Sequence, residues 1–223
     1  VAASPDGKTV VCGGEHRVLY VMDTVTHEVR HRIWIQARVG ALAFSKDGSR
    51  LCLEDDEEVL HIFDSSNWKE VVKVPDAGDC AFAPAADVLV AISAKEKGIR
   101  FLSMTDGSEK GKTAVDGRIA SVGIDEAGAK VAVLMEAVEE KSEPKAEYAA
   151  IPKELKGAAR KEWIQKNDAQ AATVRWFEAP SGKAAGEAKT FFSARGKAAV
   201  KQAGEFAWVT TYDDVCARIS GKG

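Results

Sequence analysis

The stretch SPDGKTVVC, residues 4–12, joins a turn signal to an apolar run, which predicts a hairpin turn followed by a β-strand. The same form recurs at SKDGSRLCL (45–53), DEAGAKVAV (125–133) and KQAGEFAWV (201–209), and without its glycine at APAADVLVA (83–91). The marker positions are Gly7, Gly48, Ala86, Gly128 and Gly204, which are 41, 38, 42 and 76 residues apart. The chain is therefore built from five related units.

Each unit continues with a second apolar stretch: LYVMDT, LHIFDS, IRFLSM, VRWFEA or ARISGK. The second stretch follows the first marker after 16 or 17 residues in four units and after 50 in the fourth. A period of about 40 residues, made of short strands and turns, is typical of a β-propeller with one four-stranded blade per repeat. The sequence thus predicts an all-β fold over residues 1–223, an arc of about five four-stranded blades.

The units SPDGKTVVCGG…VLYVMD and FSKDGSRLCL…VLHIFD resemble the WD-repeat family, in which an S-P-D-G turn joins strands a and b and a W-D pair closes strand c. The aspartate is kept as Asp23 and Asp64. Other residues replace the tryptophan: Met22, Phe63, Leu102, Phe177 and Ile219. The turn is shared with YVTN and TolB-like propellers. The resemblance implies a non-catalytic scaffold for protein–protein interaction.

The extent of the repeats predicts an incomplete ring. Val1 already falls in strand a, so the first blade is expected to lack strand d, and the last blade is expected to end after strand c, at about Ser220. Because both ends fall inside the pattern, we expect the chain to be part of a ring of about six to eight blades. Further blades of the same parent chain are then expected partners.

An insertion at residues 136–171 separates strands b and c of the fourth unit, with strand b ending near Met135 and strand c resuming near Thr173. Its first part, EAVEEKSEPKAE, is rich in charge and predicts a flexible arm. Its second part, IPKELKGAARKEWIQKND, predicts a short amphipathic helix in which Leu155, Ala159 and Trp163 recur every four residues. This stripe either docks a partner or packs on the fourth blade.

The stretch HEVRH, residues 27–31, matches the H-E-x-x-H pattern of zinc proteases, which needs a helix to place both histidines on one face. Here it follows strand c of the first unit, Val18–Asp23, and a turn, so EVRHRI is expected to be a strand. Along a strand His27 and His31 would lie about 13 Å apart and could not share one tetrahedral zinc. We therefore predict no metal site and interpret both histidines as solvent-side or edge residues.

The remaining motifs favour no catalytic or cofactor site. GSEKGKT (107–113) resembles a phosphate-binding loop but is one residue too short and precedes a strand. EDDEE (54–58) lacks the spacing of a calcium loop, and we interpret it as a solvated hairpin tip. No nucleophile elbow accompanies the four histidines, and no segment resembles a cofactor-binding fingerprint. The cysteines are interpreted as small buried strand residues: Cys12, Cys52, Cys80 and Cys216.

The composition argues against a nucleic-acid partner and against a membrane span. A net charge of −3 over 223 residues gives no basic footprint for nucleic acid, and no apolar run approaches the roughly 18–20 residues that cross a bilayer. We expect a protein partner. Two other functions stay open: a propeller enzyme or ligand-binding sensor of the lactonase or quinoprotein kind, and a regulatory propeller attached to a catalytic domain. The inner strands are mostly small and apolar, which favours packing round the axis over a site.

Overall fold

A computed structural model describes residues 1–136, 153–167, 169–193, 198–210 and 216–220. These residues form five antiparallel sheets, and each sheet is made of strands that follow one another in the chain. The predicted all-β propeller arc of five blades is confirmed. In the described residues the first four blades have four strands each and the fifth has three.

The strands lie in chain order from the inside of each blade, a, to its outside, d. Blade 1 contains β1 (Ala2–Ala3), β2 (Thr9–Cys12), β3 (Val18–Asp23) and β4 (Val29–Trp34). Blade 2 contains β5 (Val39–Phe44), β6 (Arg50–Asp55), β7 (Val59–Asp64) and β8 (Lys69–Pro75). Blade 3 contains β9 (Gly78–Ala83), β10 (Val88–Ser93), β11 (Gly98–Leu102) and β12 (Glu109–Ala114). Blade 4 contains β13 (Arg118–Ile124), β14 (Lys130–Glu136), β15 (Ala169–Glu178) and β16 (Lys183–Ser193). Blade 5 contains β17 (Ala199–Ala203), β18 (Phe206–Thr210) and β19 (Cys216–Ser220).

The turn chemistry explains why the repeated motif forms a hairpin. In the second unit the Ser45 hydroxyl and the Ser49 N–H both donate to the Asp47 carboxylate, and Gly48 takes a positive φ of 73°. These hydrogen bonds, that of Ser45 first, lower the pKa of Asp47 to about 2. The first unit repeats the arrangement with Ser4 and Asp6. Strands a and b are therefore joined by the same side-chain cage in both units.

Two boundaries differ from the sequence prediction. β4 pairs with β3 along its length, so the expectation that blade 1 lacks strand d is wrong: the turn at residues 24–28 returns the chain beside β3. In blade 4, β15 begins at Ala169 rather than near Thr173, because its first residues continue past β14 and pair with β16. The helix α1 (Gly157–Asn167) lies between β14 and β15, as predicted.

The core lies between blades rather than within them. We call the side of a blade that faces the next blade in the chain its leading face, and the opposite side its trailing face. Four apolar clusters fill the four spaces between successive blades. Between blades 1 and 2, for example, Val11, Leu19 and Val21 of one leading face meet Leu51 and Phe63 of the next trailing face. Each blade is thus covered by its neighbours, as in other repeat folds.

The inner strands contact one another in sequence, β1 with β5, β5 with β9, β9 with β13 and β13 with β17. Their approach is close. A Cβ added to Gly123 in β13 would lie 2.5 Å from the Val200 carbonyl oxygen and 3.0 Å from the Gln202 nitrogen of β17. Small residues in the inner strands are therefore required by packing, as the sequence indicates.

Gly123→Ala is expected to reduce the free energy of unfolding by about 1–3 kcal/mol, because the added methyl group forces apart two backbones. Gly14→Ala is the matched control, since nothing lies within 4 Å of its added Cβ and its φ is not positive. The control should be neutral or slightly stabilising. Urea unfolding measures both, and equal midpoints for the two variants would contradict the close contact of β13 with β17.

Candidate interaction surface

Blade 4 differs from the other blades where strand b turns into strand c. β14 and β15 pair without interruption from Lys130↔Glu178 to Glu136↔Ala172, and β15 and β16 then pair three residues further, to Ala169↔Ser193. The helix α1 packs on both β15 and β16. The insertion therefore rests on an extension of the blade's outer hairpin and leaves the b–c pairing intact.

The three residues predicted to form one helical stripe do not do so. The helix begins at Gly157, whose φ of +53° is left-handed, so the right-handed helix cannot continue back to Leu155. Leu155 lies before the helix and is half-buried, Ala159 is exposed, and Trp163 is half-buried. The predicted flexible arm beyond Glu136 and Pro152, the second residue of the predicted helical segment, lie outside the described residues.

The insertion begins beside the linker that joins blade 3 to blade 4. The b–c turns and the linkers share one side of the arc, since Val115 and Ala77 of the linkers donate backbone hydrogen bonds to the turn residues Lys97 and Glu58. The start of blade 4 lies at the same place, because Arg118 of β13 forms an ion pair with Glu136, the last residue of β14 (3.0 Å). Helix, hairpin extension and linker therefore lie on one side of the molecule.

Two cavities flank this linker. They have volumes of about 300 and 380 Å³, and both are lined by Val115 and Asp116. The first is lined further by blade 3 and the start of blade 4, the second by the outer strands of blade 4. We call the two together the blade 3–4 groove; its other polar and apolar side chains include Ser93, Lys97, Ile119, Arg175, Phe177 and Glu187. Its mixed lining suits a peptide better than a single small ion.

The contacts of Arg175 connect the elements that line the groove, and we call them the brace. In strand c of blade 4, Arg175 donates to the carbonyl oxygen of Asp116 (3.0 Å) and pairs with Glu187 of strand d (3.4 Å). In strand c of blade 3, Arg100 likewise donates to the carbonyls at the end of β8 and in the preceding linker, and it pairs with Glu109 (2.8 Å). A charged guanidinium thus ties strand c, strand d and the linker together in both blades.

Blade 2 has a histidine at the corresponding position. His61 is buried, its Nε2 lies 2.8 Å from Asp55 Oδ2, and its Nδ1 contacts Glu70 of strand d. The sequence interpretation missed this group. Aligning the LHIF, IRFL and VRWF stretches places His61 with Arg100 and Arg175, and that alignment is the signal that would have found it.

The acidic run at 54–58 is only partly a solvated tip. Asp55 is buried beside His61, and Asp56 pairs with Arg38 (2.6 Å). Glu54 reaches the inner strands, where its Oε1 accepts the N–H of Asp79 (2.8 Å). The interpretation as a solvated tip is therefore wrong for Glu54 and Asp55, because strand b continues to Asp55 and carries both side chains into packed surroundings.

Inner strands are linked by side-chain acceptors near the axis. Glu54 accepts from Asp79 in the first strand of blade 3, and the Asp79 Oδ2 accepts the N–H of Val122 in blade 4 (3.0 Å). The Ser121 hydroxyl then accepts the N–H of Val200 in blade 5 (3.3 Å). Burial raises the pKa of Glu54 to about 6; the hydrogen bond from the Asp79 N–H opposes this shift, and the Asp79 carboxylate adds to it. These groups tie successive blades together at the narrow side of the arc.

The motifs that resembled catalytic signatures lie in turns and strands. His27 occupies the turn after β3 with a φ of +60°, and β4 begins at Val29, so the helix of a zinc-protease motif is not formed. Gly107 also lies in a turn, and β12 follows it rather than a helix. Among the described residues no three His, Cys, Asp or Glu side chains are grouped as a metal would require.

No helix in the described ranges is long and apolar enough to cross a membrane.

The arrangement of sheets and cores defines the class of the fold as a β-propeller. Known structures share it: the hydrazine synthase of Kuenenia stuttgartiensis has a TM-score of 0.62 at 14% identity, over 94% of this chain and 54% of that one. Hsv2 of Kluyvelomyces marxianus also has a TM-score of 0.62, at 17% identity, over 97% and 60%.

A KlHsv2 variant with loop 6CD replaced by a Gly-Ser linker gives a TM-score of 0.62 at 15% identity, over 92% of this chain and 57% of that one. This chain therefore spans between 54% and 60% of the length of the three similar structures. No protein-family model and no curated protein sequence matches it. At these identities the similarity shows the fold alone.

The titration of Glu54 gives a test of the axial contacts. Folding raises the pKa of Glu54 from 4.5 to about 6. Between pH 4.5 and 6 the folded chain therefore binds more protons than the unfolded chain. The contribution of Glu54 to the free energy of unfolding falls as the pH rises through this range. We expect the free energy of unfolding to fall by about 1 kcal/mol over this range. This is less than the full linkage value because the carboxylate is partly exposed.

In Glu54→Gln this pH-dependent loss should be missing from the stability profile measured by urea unfolding. Glu57→Gln, in the exposed turn, is the control and should keep the wild-type profile. Parallel profiles for wild type and Glu54→Gln would show that Glu54 does not titrate in a buried position.

Proposed function

We propose that the chain is a non-catalytic scaffold for protein–protein interaction of the WD-repeat type. Its docking element would be the helix α1 with the hairpin extension of blade 4 and the blade 3–4 groove beside them. The observation that carries the proposal is the position of α1, held on β15 and β16 outside a blade whose own strand pairing is complete.

The scaffold supports this role because it is rigid where the docking element is attached. Val131, Val133 and Leu134 of β14 are fully buried, and Val174 of β15 is too. Loops and insertions on such a framework are the common sites of recognition, because the framework holds them in place without depending on their sequence. The insertion can therefore be shaped by a partner without cost to the core.

The likeness to WD repeats adds support at the level of turns. Asp23 and Asp64, which stand at the family's aspartate position, accept backbone N–H groups of the turn between strands c and d. Asp64 also pairs with Arg50 of strand b (3.0 Å). In the family such blades form platforms for protein partners, which is the function proposed here.

Ala159→Arg is expected to weaken capture of the partner by at least about tenfold, because a long charged side chain would enter the docked surface. Ala158→Arg, on the adjacent and equally exposed residue, is the matched control, since it points about 100° away around the helix. Quantitative affinity capture from cells that contain the protein compares both with wild type. Equal capture by all three would remove α1 from the docking element.

Replacing residues 137–171 by Asn-Gly should close a normal hairpin, because Glu136 and Ala172 are paired across β14 and β15. The free energy of unfolding should change by no more than about 1–2 kcal/mol, since few core contacts are removed. The shortened chain should fold and lose the partner. Unfolding of this variant would show that the insertion stabilises blade 4, and the docking proposal would then lose its basis.

A further inference from the structure

Strand d of blade 4 lacks a glutamate that blades 2 and 3 carry at the same place. In each of these three blades one register shift interrupts the pairing of strands c and d. The first pair beyond the shift, on the side of the c–d turn, is Phe63↔Glu70 in blade 2, Leu102↔Glu109 in blade 3 and Phe177↔Ala184 in blade 4. The strand-d position is therefore glutamate in two blades and alanine in the third.

Both glutamates contact the same position of strand c. Glu70 contacts His61 Nδ1, and the Glu109 Oε2 accepts the N–H of Arg100 Nε (2.8 Å). Arg175 is the equivalent residue of blade 4, two positions before the residue that pairs with strand d. A carboxylate thus meets the strand-c side chain in blades 2 and 3, whereas Ala184 supplies none in blade 4.

The side chain of Arg175 is correspondingly less covered. Side-chain exposure rises from 5% for His61 to 16% for Arg100 and 36% for Arg175. Nη1 of Arg175 donates to the Asp116 carbonyl oxygen (3.0 Å), and its Nε lies 3.4 Å from Glu187, whose side chain is 67% exposed. Within the described ranges its Nη2 has no hydrogen-bond acceptor. The guanidinium therefore keeps donors for a further acceptor.

The second cavity of the blade 3–4 groove lies where the glutamate is missing, and we call it the Arg175 cavity. Its volume of about 380 Å³ lies in the range of ligand pockets, about 300–1,000 Å³, and Ala184 lines it. Val115 and Phe177, both buried, give it an apolar side next to the guanidinium. Asp116 and Glu187 line it as well, but both are exposed, so water weakens their repulsion of another carboxylate.

We infer that the Arg175 cavity binds an acidic side chain, glutamate or aspartate, of the protein partner. The inference rests on the proposed function, because the cavity belongs to the proposed docking element. The incoming carboxylate takes the place that Glu109 has beside Arg100, accepts N–H groups of the guanidinium and replaces the longer contact with Glu187. The aliphatic part of the acidic side chain lies against Phe177.

The direct test uses small probes and does not need the partner. N-acetyl-glutamate amide carries the carboxylate, N-acetyl-glutamine amide is its uncharged control, and N-acetyl-lysine amide represents a basic occupant. NMR follows the Nε–H signal of Arg175, with that of Arg100 as internal reference. We expect a saturable shift of the Arg175 signal alone, with the glutamate probe binding at least about tenfold more tightly than the glutamine probe. Equal binding of these two probes, or tighter binding of the lysine probe, would overturn the inference.

Ala184→Glu supplies the missing carboxylate from the chain itself. Ala185→Glu is the matched control, since Ala185 is equally exposed and does not line the cavity. Ala184→Glu should abolish the shift and raise the midpoint of urea unfolding above that of the control, because its carboxylate pairs with Arg175. Glu187→Gln should bind the glutamate probe more tightly, because a competing acceptor is removed. Unchanged probe binding in Ala184→Glu would place the probe elsewhere and overturn the inference.

Affinity capture then relates the cavity to the partner. Ala184→Glu should weaken capture by at least about tenfold relative to Ala185→Glu, because the site for the partner's acid is already filled. Equal capture by both variants, with capture lost when residues 137–171 are replaced by Asn-Gly, would overturn the inference and keep the docking role of the insertion. Failure of wild type to capture any partner would remove the proposed function, and the probe titration would still decide whether the cavity binds a carboxylate.

Discussion

The packing of one leading face on the next trailing face is the interaction on which the whole arc depends. A single blade of short strands has two apolar sides and no core of its own, so it is stable only between neighbours. Each strand in the interior blades alternates sides, which sends Leu51 back toward blade 1 and Cys52 forward toward blade 3. The near-continuous apolar runs of strands b and c follow from this double burial.

The close approach of the inner strands is the second constraint, and it follows from the first. Sheets that pack face to face around an axis converge at strand a, where Gly123 touches the backbone of the next blade. Little room remains there for side chains. Hydrogen bonds between the blades therefore use backbone N–H groups as donors and only a few side-chain acceptors, such as Asp79 and Ser121. One buried side-chain bond, from Trp176 Nε1 to Gln202 Oε1 (2.9 Å), completes the contact between blades 4 and 5.

Sequence reasoning recovered what repeats along the chain and missed features that depend on side-chain contacts or backbone conformations of the folded chain. Turn residues and strand c were placed correctly in the first unit, Val18–Asp23, because both follow from local alternation and turn chemistry. His61 was missed because its burial depends on Asp55 and Glu70, which only the folded hairpin brings to it. The helical stripe through Leu155 was wrong because a periodic pattern does not report where Gly157 takes a positive φ.

The insertion occupies a place where the fold tolerates it. In blades 2 and 3 the b–c turn is short and closed by local hydrogen bonds, such as those from Glu57 and Val59 to Asp55. Blade 4 keeps the register of both flanking strands up to Glu136↔Ala172, so the added chain changes neither face of the blade. The brace from Arg175 to the linker beneath it does not depend on the insertion either. The insertion and the packing of the blade thus involve different residues, and the helix can vary in sequence while the packing on blades 3 and 5 stays fixed.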